Sequence, residues 1–243
     1  MAAGPGIRPA AANAPRGAGR SAVNYPHLVA KRRSYDLVDV TFSGATTANV
    51  LDERQRGAPP QIEAVDGTES LVTVTIGGND AGYFALLYAA GLPRWTRSVP
   101  LVGGMLRQQL DVDARDAALA RVGNSLRTVG AELKRRAPRA RVVFVDYLTL
   151  LPPPGTPAHP LPEDYVQTGR RIADTLERLT EEAATDTGCE LVRAGAASRD
   201  HHPWSDEPWT SKFGLPLPGR VVPLHPNAAG MRAVADLIVR QLD

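Results

Sequence analysis

Three short motifs carry residues that can do chemistry: Ser43-Gly44-Ala45-Thr46, Gly77-Gly78-Asn79-Asp80 and His225-Pro226-Asn227. A small-residue turn offers a bare backbone N–H, and an asparagine amide offers a second donor. Together they suit an oxygen that gathers negative charge during a reaction. A histidine just ahead of a helix can take a proton and return it. A nucleophile is missing from this set. Ser43 precedes Gly44, but at the end of a strand it reads as a turn serine, since a nucleophile is defined by geometry with its base and not by proximity in sequence. Gly77-Gly78-Asn79-Asp80 also has a plain structural reading, a strand-to-helix turn in which Asn79 or Asp80 is the N-cap. Asp200, His201, His202 and His225 invite a metal reading. Zinc sets have paired ligand spacings that this Pro- and Trp-bearing loop does not, so the loop is expected to pack over the site.

The elements that must hold these motifs are set by periodicity. Leu71 to Ile76 is apolar or β-branched without a break, the pattern of a strand covered on both faces. Gly77 and Gly78 then allow a sharp turn, placing Asn79 and Asp80 at the carboxyl edge of the sheet, where open α/β folds bind ligands. Leu37–Phe42, Arg141–Asp146 and Cys189–Val192 are the other predicted strands, which makes four, and the natural fold has one more. Helices are predicted from a Ser21 cap to Lys31, from Ala114 to Arg136 with Pro138 ending it, from Glu163 or Asp164 to a stop at Gly188, and from near Asn227 onward. The segments 82–113 and 195–224 are predicted as irregular, with short helices in the first. Strands alternating with helices imply a parallel sheet built by right-handed crossovers.

The bulk properties narrow the class. A chain of 243 residues with 43% hydrophobic and 22% charged residues can bury a sizeable core, and with no internal linker it is read as one domain, 1–243. The net charge of +2 is spread along the chain, and Lys31-Arg32-Arg33 and Lys134-Arg135-Arg136 fall at helix ends, where cations suit the dipole. With aromatics at 5% there is little to stack on bases, so nucleic acid is not an expected partner. Cys189 is the only cysteine and is expected to be a buried structural thiol. No apolar run reaches transmembrane length, and residues 1–20 lack the apolar core of a signal peptide. As written, the chain carries no export signal and is expected in the cytoplasm.

Taken together, these motifs resemble the SGNH hydrolase family, also called GDSL esterases and lipases. Asp39-Val40-Thr41-Phe42-Ser43-Gly44-Ala45-Thr46-Thr47 resembles the family's second block, Val74-Thr75-Ile76-Gly77-Gly78-Asn79-Asp80 its third, and Pro223-Leu224-His225-Pro226-Asn227 its fifth. The resemblance runs over essentially the whole chain. It implies a three-layer α/β/α sandwich with a flavodoxin-like parallel sheet. It further implies hydrolysis of a small-molecule or lipid carboxylic ester through an acyl-serine, with no metal or nucleotide cofactor and no stable insertion in a membrane. The Gly44 N–H and the Asn79 side chain would be oxyanion donors and His225 the general base. Two departures stand out. The family's first block, a strand ending in Gly-Asp-Ser or Gly-Ser-Ser, has no counterpart, and Met1-Ala2-Ala3-Gly4-Pro5-Gly6 resembles the stretch directly after that serine. The strand and its nucleophile are therefore expected upstream of Met1, where any export signal would also lie. The alternative is a catalytically inactive remnant or binding module of the same fold. Three residues before the histidine, where the family commonly has an acid, stands Val222. Its carbonyl, Asp200 or Asp206 is then expected to orient His225.

Overall fold

The computed structural model describes residues 1–100, 102–217 and 220–243. Residues 1–24 form turns, with an antiparallel bridge between Ala10 and Ser21. Helix α1 (Tyr25–Arg33) comes after them, and its cap is Asn24, not Ser21. The Asn24 Oδ1 accepts from the His27 N–H at 3.1 Å, while the Ser21 hydroxyl serves the turn before it, accepting from the Val23 N–H. Next come α2 (Thr47–Leu51), β1 (Leu71–Val74), α3 (Tyr83–Gly91), α4 (Val102–Gln109), α5 (Val112–Arg136), β2 (Arg141–Val145), α6 (Glu163–Thr187), β3 (Glu190–Val192), α7 (Ala194–Ala197) and α8 (Ala228–Leu242). The predicted irregular segments 82–113 and 195–224 include Leu101, Pro218 and Gly219, which lie outside the described residues.

The sheet is parallel and its order is β1-β2-β3. Because successive side chains of a strand point to opposite faces, β2 feeds two cores at once. Val142 and Phe144 join Leu126, Val129 and Ile172 from α5 and α6. Val143 and Val145 meet Tyr25 and Val29 of α1 and Met231, Val234 and Ile238 of α8. Helices therefore cover both faces of the sheet, which is the α/β/α layering the motifs implied. Each such fully buried aliphatic side chain contributes roughly 1.5–3 kcal/mol. Helix ends behave as their residues require: Asp111 caps α5, and Gly188 closes α6 in the left-handed conformation at φ 65°.

Some sequence expectations need correction. Leu37–Phe42 is not a strand, since it pairs with no ladder; it faces β1 across a cavity of about 550 Å³ whose walls include Leu37–Phe42 and Leu71–Ile76. A strand is defined by its neighbour's backbone, and across that width neither segment reaches the other. For the same reason the 71–76 run is not buried on both faces. Leu71 to Val74 are all half-buried, and regular pairing stops at Val74. The Pro-rich run after β2 also does more than cross the surface, because Leu150, Leu151, Ala158 and Leu161 are buried.

Candidate active site

The three chemistry-bearing turns meet. Gly44, Asn79 and His225 line one small cavity of about 40 Å³, together with Met1, Gly78, Tyr83, Phe84, Tyr147 and Thr210. Each reaches it by a different local device. Gly44 adopts φ 80°, a conformation that costs a side chain energy, and its N–H has no backbone partner among the described residues. Just beyond it, α2 is fixed by a capping box: Thr46 accepts from Asn49 N–H, and the Asn49 side chain accepts from Thr46 N–H.

The Gly77–Asp80 turn is tied to the Gly44 turn by both polar residues. The Asn79 amide donates to the Ala45 carbonyl at 2.8 Å, which fixes the side chain and leaves its second N–H for another acceptor. Asp80 accepts from the Thr47 N–H at 3.0 Å and from the Thr47 hydroxyl at 2.5 Å. Asp80 thus caps α2, a different helix from the one after it in the chain. Gly78 donates to the Tyr147 hydroxyl at 3.0 Å, and a Cβ on Gly78 would sit 2.7 Å from the Tyr147 ring. Only glycine lets that ring support the turn.

His225 is held from both ends. Ser211 Oγ accepts from the His225 N–H and donates to the Val222 carbonyl, clamping the loop that precedes α8. Leu224 sits at φ 57°, unusual for a bulky residue, and folds the chain back so that His225 Nδ1 lies 2.9 Å from the Pro223 carbonyl. A carbonyl only accepts, so Nδ1 carries the hydrogen and Nε2 keeps its lone pair. The orienting group is therefore Pro223, two residues before the histidine. Val222 spends its carbonyl on Ser211, and neither Asp200 nor Asp206 bonds the ring. Burial pushes His225 down to about 4, against the Pro223 bond, so the ring is neutral at ordinary pH. The ring packs edge-on against Phe84 of α3 at 4.6 Å.

The remaining candidates fall elsewhere. Ser43 does not line the cavity; its N–H donates to Ala18 and its carbonyl accepts from Gln55. His201 stacks on Trp209 and His202 accepts from the Trp204 N–H, so both organise the 195–224 loop. Among the described residues no cluster of three His, Cys, Asp or Glu is placed to hold a metal. Sequence reading missed Tyr147, Asp80 as a clamp, Phe84 and Pro223. Only the last had a signal, in that no acid precedes His225 at the usual spacing.

A parallel α/β/α fold whose sheet-edge turns bring a bare glycine N–H, an asparagine amide and a neutral histidine together defines a hydrolase of the lipase and esterase type. The sequence profile of the GDSL-like lipase/acylhydrolase family matches residues 1–233. The chain belongs to that family. It is 33% identical over 226 residues to Lipase 2 of Streptomyces coelicolor, covering 89% of this chain and 75% of that one. It is 28% identical to a lipase of Streptomyces rimosus over 87% of this chain and 72% of that one. Among solved structures it resembles phospholipase A1 from Streptomyces albidoflavus, with TM-score 0.77 and 25% identity over 99% of this chain and 94% of the other. The extracellular lipase of Streptomyces rimosus shares the fold, at TM-score 0.77 and 24% identity over the same shares.

Proposed function

We propose that the chain, as one domain over residues 1–243, forms the base and oxyanion apparatus of a carboxylic ester hydrolase that works through an acyl-serine. The serine is brought to the cavity on a strand seated beside β1 and not included in these 243 residues. The observation that carries this reading is the shared cavity of Gly44, Asn79 and His225. The groove between Leu37–Phe42 and β1 supports the second part, since Met1 lines both spaces and the free edge of β1 faces into the groove.

In this mechanism the serine Oγ attacks the ester carbonyl carbon while His225 Nε2 takes its proton. The Pro223 carbonyl steadies the imidazolium that forms. The Gly44 N–H and the free Asn79 N–H bind the oxyanion. The C–O bond to the alcohol breaks as His225 returns the proton to that oxygen, and water then repeats the sequence on the acyl-serine, releasing the acid.

The test is to read and express the coding frame upstream of Met1 and assay nitrophenyl butyrate. The longer chain is expected to hydrolyse it and to react with a fluorophosphonate. In that chain Asn79→Ala lowers kcat by about 10²–10³, and His225→Ala by at least about 10⁴. An in-frame stop before any Gly-Asp-Ser or Gly-Ser-Ser codons would sink the proposal. So would His225-dependent labelling of the 243-residue chain by itself, because the nucleophile would then be one of its own residues.

A further inference from the structure

Large apolar side chains exposed among the described residues fall in two places: the groove beside β1, and a rim formed by Trp95, Val99, Val102, Met105, Leu215 and Leu217. The rim is continuous with the site through a run of aromatic contacts. His225 packs on Phe84, Phe84 stacks on Tyr88 at 5.7 Å, and Tyr88 meets Phe213 at 5.7 Å. Phe213 lies so close over Gly91 that a Cβ there would be 2.4 Å from its ring. From that junction the chain leads one way into Leu215 and Leu217 and the other way into Trp95 and α4. The Arg107 guanidinium ties α4 back to the Arg97 carbonyl at 2.6 Å.

The charge pattern of the rim selects its partner. Residues 92–110 and 208–224 contain no Asp or Glu, while Arg94, Arg107, Lys212 and Arg220 are exposed. None of these four joins an ion pair among the described residues. Elsewhere the arginines are mixed: Arg127, Arg171, Arg193 and Arg199 each bond a carboxylate, while Arg8, Arg16, Arg121 and Arg232 are exposed and join no ion pair among the described residues, so it is the absence of Asp and Glu from the two rim segments that sets them apart. An exposed apolar patch marks an interaction site. One bordered by cations with no acid suits a sheet of apolar chains under anionic headgroups.

We propose that this rim docks on an anionic lipid surface and delivers an ester from that surface along the Phe84–Tyr88–Phe213 face to His225. The docking stands on the rim alone. The delivery rests on the ester-hydrolase reading above, so the two are tested separately. Phosphatidylcholine vesicles containing 30% phosphatidylglycerol are sedimented with the chain at low and high salt, and Trp95 fluorescence is followed. Binding is expected, with a blue shift that Trp95→Phe abolishes, and it should weaken with salt. Arg94→Glu and Lys212→Glu should each lower affinity by about fivefold or more. Leu215→Glu with Leu217→Glu should abolish binding while circular dichroism is unchanged. No binding to the anionic vesicles, or binding that these substitutions leave intact, overturns the proposal. Concentration-dependent self-association lost in Leu215→Glu/Leu217→Glu, without vesicle binding, also overturns it in favour of a second copy as occupant. Binding by a full-length chain that hydrolyses no ester would defeat the mechanism and spare the docking. Hydrolysis of a soluble ester without vesicle binding would do the reverse.

Discussion

Tyr147 shows how much a single hydroxyl can organise. The residue is half-buried, its desolvated phenol stays protonated well above the ordinary tyrosine range, and its oxygen is the acceptor for the Gly78 N–H. Tyr147→Phe keeps the ring that supports the turn and leaves that N–H without a partner. An orphaned buried donor costs about 1–3 kcal/mol. The expected result is a drop of that size in urea-unfolding free energy. In the full-length enzyme it is accompanied by a lower kcat with little change in KM, because Asn79 sits next to the loosened residue. An unchanged stability would show that the Gly78 N–H finds another partner.

At the scale of elements, the site depends on one turn capping another turn's helix. Asp80 is bonded to both the backbone and the hydroxyl of Thr47, so the strand that delivers Asn79 also fixes the helix just past Gly44. Losing a capping side chain typically costs about 1 kcal/mol. Asp80→Ala is expected to lower stability by about that amount and, in the longer enzyme, to lower kcat, because the two oxyanion donors lose their common reference. Helix propensity foretold neither consequence. The long helices were legible because their apolar residues repeat turn after turn, as at Leu119, Val122, Leu126, Val129 and Leu133 of α5. The glycine, asparagine and histidine of the site were legible as motifs. Leu37–Phe42 has the composition of a strand, but pairing is a property of two segments, and no single stretch reveals its neighbour. The turn back to the Pro223 carbonyl depends on a leucine at positive φ, which residue type alone argues against.

Across the molecule, two groups with opposed titrations, Asp146 and His225, shape the dependence of stability on pH between about 4 and 7. Asp146, at the end of β2, accepts from the Gly195 N–H with one oxygen and has no partner for the other. Burial, with Glu177 nearby, raises it from 3.8 to about 7. Its folded form therefore keeps a proton the unfolded chain gives up, and its stabilising effect is lost as pH rises through 7. His225 runs the other way: unfolded it holds a proton up to 6.5, folded only up to about 4, so its stability is present above 6.5 and is lost as pH falls toward 4. Between pH 4 and 6.5 the two slopes offset. Asp146→Asn removes one of them, and its stability relative to the parent is expected to rise by about 2–3 kcal/mol from pH 4.5 to 6.5. Denaturant titrations at the two pH values read this difference directly, and a flat difference would show that Asp146 is ionised in the fold throughout.

The free side of β1 has a cost for handling the molecule. Native sheets guard an outer strand with lysine, proline or a bulge, and Leu-Val-Thr-Val at 71–74 has none of these. The groove beside it, walled by Val38 and Val40, is a template onto which any extended chain of matching pattern can be recruited. At high protein concentration that chain is a neighbour's, and material left with the edge unmet will clump by backbone pairing well before it melts.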